Sequence, residues 1–323
     1  MADLSVIIPV HTNDYFVECL QSVASQTEKG FSTIVVFDNC TDNSPEILER
    51  FRNQINDISV FYTNGGKPSI ARNKGIKESA ANYVTFLDSD DVLKPGAVAT
   101  IKADIKALPN RLQYCYGVES DEGIRRIGFE QNVFVFGKAY NRRFLIDNNL
   151  LFNENVEFEE DMLFNVALHE KIIRSNLNNW LNINPVDIVM HRENAKSMTH
   201  TRPERVYFDS WILARLFCQN CDVEEYTEMA NKYFSLNAFH VCKLAVLGTI
   251  KAAKFFELVK ESKILRYDIP KPKPNYYDKF RMYREIGRQR GATYEQRFEN
   301  GDLKAERLYK KYFEPIIGLK YFD

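Results

Sequence analysis

Four short apolar runs, each followed by a stretch with helical periodicity, constrain this chain more than any other feature. They are Leu4-Ser-Val-Ile-Ile-Pro-Val10, Thr33-Ile-Val-Val-Phe37, Ile58-Ser-Val-Phe-Tyr62 and Tyr83-Val-Thr-Phe-Leu87. Runs of this length with few polar breaks suit strands buried on both faces, as in a parallel sheet. Between them, Phe16, Leu20 and Val23 recur at helical spacing, and so do Ile47, Leu48, Phe51 and Ile55. Ser44 is placed to cap one helix, with Pro45 in its first position, and Ser69 to cap another that runs to about Ser79. Pro95 opens a further helix through Leu108. Alternating strands and helices imply βαβ units, right-handed crossovers and a mostly parallel sheet with flanking helices, an α/β class.

Ligands of such sheets bind beyond the carboxyl ends of the strands. Three polar clusters stand there: Pro9–Asn13, Asp38–Asp42 and Asp88–Asp91. The first turn, Pro9-Val-His-Thr-Asn-Asp14, has no glycine, so it is neither a dinucleotide fingerprint nor a phosphate-cradling P-loop. The strand ends carry carboxylates instead. Acids do not hold bare phosphate, but they can hold a hard divalent cation that does, and they accept hydrogen bonds from base N–H and sugar hydroxyl groups. Asp88-Ser-Asp90 brings two carboxylates to one site whether the strand continues or turns. The competing reading is an acidic turn that caps the Pro95 helix. A second acidic group, Glu157, Glu159, Glu160 and Asp161, crowds the start of a helix with Met162, Phe164, Val166 and Leu168 as apolar positions. Acids complement a helix N-terminus, and four exceed what that needs.

Taken in order, Val6-Ile-Ile-Pro-Val10, Asp38-Asn-Cys-Thr-Asp-Asn-Ser44, Ala71-Arg-Asn-Lys-Gly75 and Phe86-Leu-Asp-Ser-Asp-Asp91 resemble family 2 glycosyltransferases of the GT-A (Rossmann-like) fold. Phe136-Gly-Lys-Ala-Tyr140, Phe152-Asn-Glu-Asn-Val156 leading to Glu159-Glu-Asp161, and His191-Arg-Glu-Asn-Ala-Lys-Ser197 extend the resemblance over about residues 1–200. It implies a metal-dependent, inverting transfer of a sugar from a nucleotide-diphosphate sugar, usually a UDP-sugar, to a hydroxyl acceptor. Carried over by position, Pro9 and His11 line the nucleotide pocket and Asp38 accepts from the base. Arg72 and Asn73 lie near the donor, Asp88 and Ser89 contact its sugar or ribose, and Asp90 ligates Mn²⁺ or Mg²⁺. Asp161 is the catalytic base with Glu160 beside it, and Arg192, Ser197 and His191 or His200 reach the diphosphate from a loop. Asn39 and Cys40 stand where the family has a second acid and a glycine, and His11 where a Tyr often stacks on the base. Read without the resemblance, Arg72 and Asn73 are the exposed face of the Ser69 helix and His191 is a loop histidine. His169, His240, Trp180 and Trp211 read as structural.

The chain of 323 residues divides by this reading into residues 1–200, donor-binding and catalytic, and 201–323, mainly helical. Forty-three basic against 44 acidic residues give a net charge of −1, so no global field holds a polyanion. From Arg266 onward, 14 Lys and Arg face 9 Asp and Glu, with aromatics such as Tyr276, Tyr277 and Phe280 interleaved after Pro270-Lys-Pro-Lys-Pro274. That tail fits a helical extension, a homo-oligomer contact, an anionic membrane surface or a polyanionic acceptor. The expected acceptor is a cell-surface polysaccharide or a lipid-linked glycan. The alternatives are a modified base of phage DNA and a catalytically silent nucleotide-sugar-binding module. Six spread cysteines, the Cys218–Cys221 pair among them, read as reduced thiols, and the N-terminus shows no signal peptide, so a cytoplasmic chain is expected.

Overall fold

The computed structural model describes residues 3–12, 14–120, 123, 125–127, 134–156, 160–192, 238–239, 241–248, 250–266 and 302–317. The chain separates into two compact units, Met1–Lys196 and Ser197–Asp323. The first is built on β1 (Leu4–Val10), α1 (Phe16–Ala24), β2 (Ser32–Asp38), α2 (Ser44–Phe51), β3 (Ile58–Thr63) and α3 (Pro68–Glu78). It continues with β4 (Tyr83–Phe86), β5 (Val92–Leu93), α4 (Ala97–Ala107), β6 (Gln113–Ser120), β7 (Arg125–Ile127) and β8 (Lys138–Asn141). It closes with α5 (Arg142–Asp147), α6 (Glu160–Arg174) and β9 (Leu181–His191).

These strands form one sheet in the order β3-β2-β1-β4-β8-β6-β9-β5, with β7 against β6. The four apolar runs of the sequence are its parallel half, β3-β2-β1-β4. In the other half, β8 runs antiparallel to β4 and β6, while β9 is parallel to β6. Strand alternation sorts β1 onto two cores. Leu4, Val6, Ile8 and Val10 face a cluster with Phe16 and Leu20 of α1, Leu48 of α2 and Val98 and Ile101 of α4. Ile7 faces the other cluster, with Ala71 and Ile76 of α3, Leu145 of α5 and Phe164, Leu168 and Ile172 of α6. Each fully buried side chain of this size stabilises the fold by about 1.5–3 kcal/mol.

Two details deliver the functional end of the sheet. Pro9 lacks an N–H, and it stands in β1 beyond the last β1–β4 pair, Ile7 with Phe86, where β4 has already turned away. Gly75 lets α3 lie close on β1: a Cβ there would stand 2.4 Å from Cγ2 of Ile7. That close seat carries Arg72 and Asn73 inward, and both are buried rather than on an exposed face.

Helix starts differ from the sequence expectation. Pro68 takes the first turn of α3, Lys67 precedes it, and Ser69 lies inside the helix with its hydroxyl unpartnered. Asn43 precedes α2, and the Ser44 hydroxyl donates to Asp42. Gly96, at φ 77°, precedes α4, so Pro95 lies outside it. Pro68, with its fixed φ, sets the α3 boundary, and Gly96, free as a glycine to take φ 77° without strain, sets that of α4.

The second unit contains α7 (Ala252–Arg266), α8 (Asp302–Tyr312) and α9 (Glu314–Ile317). Phe255 meets Tyr312 and Phe313 edge-on, with ring centroids 5.5 and 6.1 Å apart. Ser197, His200, Trp211, Cys218, Cys221, His240, Glu157, Glu159 and the basic segment 267–301 lie outside the described residues. Among the described residues, no helix is long and apolar enough to cross a membrane.

Candidate active site

Since β1, β2 and β4 are parallel, their carboxyl ends open on one rim. Asp38 closes β2 and is buried. Its Oδ1 accepts from the Thr63 hydroxyl at 2.7 Å and the Gly65 N–H at 2.8 Å, and its Oδ2 from the Lys67 N–H at 2.6 Å. A carboxylate offers about four acceptor positions, and Asp38 uses three of them to fasten the turn from β3 into α3. Asn39 follows at φ 51°, a left-handed angle that Asn tolerates. The exposed His11 ring donates from Nδ1 to the Asp38 carbonyl at 2.9 Å, since a carbonyl can only accept.

Beyond β4 the chain turns at Asp88-Ser-Asp-Asp91, with the Asp91 N–H bonded to the Asp88 carbonyl at 3.0 Å. Asp91 is fully buried. It accepts from Nδ1 of His191 at 2.9 Å and from the Arg192 N–H at 2.9 Å. Burial pushes its carboxyl up to about 6, against the lowering effect of His191. His191 therefore ends strand β9 and is not a loop residue. Its ring stacks on Phe136 at 4.9 Å and 11°. The Arg192 guanidinium lies 4.0 Å over the Tyr15 ring and also donates from Nε to the Asp90 carbonyl. Tyr15 holds φ 62°, a strain of about 1–3 kcal/mol of the kind that collects at functional sites.

The centre of the rim is Arg72. It donates from Nη2 to Asp88 at 2.8 Å, and from Nη1 to Glu160 at 2.6 Å and to Asp161 at 2.9 Å. Phe152 lies under the guanidinium at 5.5 Å. Carboxylates from two segments far apart in sequence thus meet on one buried cation. Burial alone would lower the Arg72 pKa, but the three carboxylates outweigh it and the group stays charged. One cation does not neutralise three acids. Burial, together with Glu160 and Asp88, pushes the Asp161 carboxyl up to about 8 despite Arg72. The second Asp161 oxygen accepts from the Val135 N–H at 3.1 Å.

Asn73 stands behind this cluster. It donates to the Phe152 carbonyl and to Glu154, both at 2.9 Å, and accepts from the Phe152 N–H at 2.8 Å. Both its N–H donors are therefore engaged within the protein, and it ties α3 to the segment that leads into α6. Asp88, Ser89 and Asp90 are half-buried at the rim. Among the described residues, no group of three or more His, Cys, Asp or Glu side chains converges as a metal cage. A hard divalent cation bound by one or two carboxylates and by substrate phosphates needs no such cage, and the Asp88–Asp90 pair has the right chemistry. Sequence reasoning missed Tyr15, Phe136 and the Val135 N–H. Tyr15 and Val135 belong to no motif, Phe136 entered only as the first residue of a family segment, and backbone strain and ring stacking leave no trace in the order of residues.

The sequence model described as "Glycosyl transferase family 2" matches residues 5–173. The chain is 35% identical over 105 residues to glycosyltransferase GlyG of Streptococcus pneumoniae, covering 32% of this chain and 35% of GlyG. It is 27% identical over 266 residues to the poly(ribitol-phosphate) β-N-acetylglucosaminyltransferase TarS of Staphylococcus aureus, covering 73% of this chain and 45% of TarS. It therefore spans less than half the length of either relative. Among solved structures, residues 1–349 of S. aureus TarS with UDP-GlcNAc match with a TM-score of 0.66 at 19% identity, over 97% of this chain and 93% of that one. The mannosyltransferase PcManGT of Pyrobaculum calidifontis with GDP-Man and Mn²⁺ matches with a TM-score of 0.54 at 12% identity, over 96% and 87%. At these identities the solved structures establish the fold.

Proposed function

The chain belongs to glycosyl transferase family 2, and from that premise we propose that it moves a sugar from a UDP-sugar to a hydroxyl of a cell-surface polymer or its lipid-linked precursor, in a metal-dependent reaction that inverts the anomeric carbon. The observation that carries this reading is the meeting of Asp88, Glu160 and Asp161 on Arg72 at the carboxyl rim. TarS, whose solved structure binds UDP-GlcNAc, supports a UDP-sugar donor and a polymer acceptor.

In this reading Pro9, His11 and Asp38 receive the nucleotide, with the His11 ring available for stacking and the remaining Asp38 position for a base N–H. Asp88 and Ser89 meet the sugar or ribose. Asp90 would hold Mn²⁺ or Mg²⁺, which when bound would offset the charge that develops on the diphosphate. Arg192 is held by Tyr15 and by Asp91 through its backbone, and it directs charge-assisted hydrogen bonds to the same oxygens. Arg72 and Asn73 frame the donor side. The acceptor oxygen attacks the anomeric carbon, and the bond from that carbon to the diphosphate breaks with its electron pair leaving on the diphosphate. The acceptor proton passes to the Asp161 carboxylate, a step worth about 10²–10⁴-fold for a positioned base. Glu160 orients the acceptor beside it.

The test is a panel of nucleotide-sugars with Mn²⁺ or with a chelator, scored by released nucleoside diphosphate. One UDP-sugar should turn over with metal and stop with chelator. Turnover that is indifferent to chelator, or none with any donor, contradicts the reading.

A further inference from the structure

Behind Asp161 lies a buried polar chain that meets the rim only at the Asp161 backbone. Asn165 sits one helical turn further along α6 and is fully buried, as are Gln113, Tyr140 and Lys138. Its Nδ2 donates to the Phe134 carbonyl at 3.1 Å and to the Asp161 carbonyl at 2.9 Å. Both partners are carbonyls, which can only accept, so the amide has one possible orientation. Its Oδ1 then accepts from the Tyr140 hydroxyl at 2.9 Å and from Gln113 Nε2 at 3.2 Å. That fixes Gln113 in turn, whose Oε1 takes the N–H of His169 Nε2 at 3.0 Å. Burial pushes the His169 pKa down to about 4, which keeps the ring neutral with one N–H to give. The donors run in one direction, from His169 to the two carbonyls, and all four hydrogen-bonding positions of Asn165 are filled.

The geometry gives this chain a purpose beyond core packing. Phe134 and Val135 are adjacent, and the Val135 N–H holds the second oxygen of Asp161. Asn165 therefore grips Asp161 twice. It fixes the helix backbone at Asp161 directly, and through Phe134 it fixes the strap that holds the carboxylate. Lys138 grips the same Phe134 carbonyl from β8. The next strap residue, Phe136, stacks on His191, so the strap also touches the side of the rim where Arg192 stands.

We propose that Asn165, gripping the backbone of Asp161 and of Phe134 at once, is a positioning residue that aims the Asp161 carboxylate at the acceptor. The inference rests on the reading of Asp161 as the base. Without Asn165 the strap and the first turn of α6 separate, and a misplacement of about 1 Å can cost about 100-fold in rate. Donor binding changes little, because the hydrogen-bonded chain reaches the donor side only indirectly, through Phe136 stacked on His191.

The test uses the full chain with UDP-GlcNAc and Mn²⁺, reading UDP release, donor KM and UDP affinity. Asn165→Leu should lower kcat about 10- to 100-fold, with donor KM and UDP affinity changed by less than about twofold. Asn165→Asp keeps the shape and, protonated in its buried site, restores one donor, so it should lose less. In an Asp161→Asn background, Asn165→Leu should add less than about twofold, since both act through one carboxylate. A crystal structure of Asn165→Leu should show that carboxylate displaced from the Val135 N–H. Normal kcat in folded Asn165→Leu, a fully additive double variant, or an unmoved Asp161 carboxylate overturns the inference. So does failure of both Asn165 variants to fold, which would assign the residue to the fold alone. Failure of the base reading is seen separately, as normal turnover in Asp161→Asn.

Discussion

Removing Arg72 exposes how much of the first unit depends on its acidic rim. Arg72→Met keeps the stem and its contact with Phe152 but deletes the charge. Asp88, Glu160 and Asp161, which now meet the guanidinium at 2.6–2.9 Å, are left facing one another. Deleting one partner of a buried ion pair costs about 3–5 kcal/mol, and a unit of this size loses about 2–4 °C of melting temperature per kcal/mol. The melting temperature at pH 8 should therefore fall by roughly 6–20 °C. The sign of its pH dependence follows from linkage. Without the cation, the folded-state pKa of Asp161, already raised by burial, rises further above its unfolded value. The folded chain then holds more protons than the unfolded one, and its stability drops as pH rises through those values. The gap from wild type should be widest above about 8, where Asp161 titrates in the intact site, and should narrow toward pH 5. Circular dichroism melts at three pH values measure it. A variant within about 2 °C of wild type at pH 8, or a gap that widens on acidification, refutes the reasoning.

Other outcomes follow from neighbouring residues. Asp91→Asn removes the charged acceptor of His191 and of the Arg192 N–H; a charged hydrogen bond is worth about 1.5–3 kcal/mol, so kcat/KM for donor turnover should fall at least tenfold, with UDP affinity falling in parallel. Asn73→Ala breaks three hydrogen bonds to 152–154 and should lower unfolding free energy by about 1–3 kcal/mol, read from urea melts. Because the base works deprotonated and Asp161 is pushed up to about 8, kcat/KM should rise with pH through that region and level above it. A profile already flat from the ordinary carboxylate value of about 4 contradicts the assignment.

The parallel half of the sheet was legible because β1, β2 and β4 are buried on both faces and so read as nearly unbroken apolar runs, while β3, at the edge, is only partly buried and leaves Ser59 and Tyr62 exposed. The rim followed from it, since parallel strands deliver Asp38 and Asp88 to the same edge. The second half was not legible in this way. β8 and β6 are rich in buried polar and aromatic groups, Lys138, Tyr140 and Gln113 among them, and their polarity hides their burial. Arg72 and Asn73 read as an exposed face because charge ordinarily stays in water. What reverses this is pairing across 88 or more positions with Glu160 and Asp161, which no local pattern records. His191 looked like a loop residue because its partner, Asp91, lies 100 positions away.

Asp161→Asn, measured with UDP binding by calorimetry and UDP release from the turned-over donor in the same preparation, probes the central claim. The neutral amide keeps the shape of the site but cannot take a proton. UDP affinity should stay within about twofold while turnover falls by about 10²–10⁴. Turnover within tenfold of wild type with UDP still bound would contradict an acid at this position serving as the base.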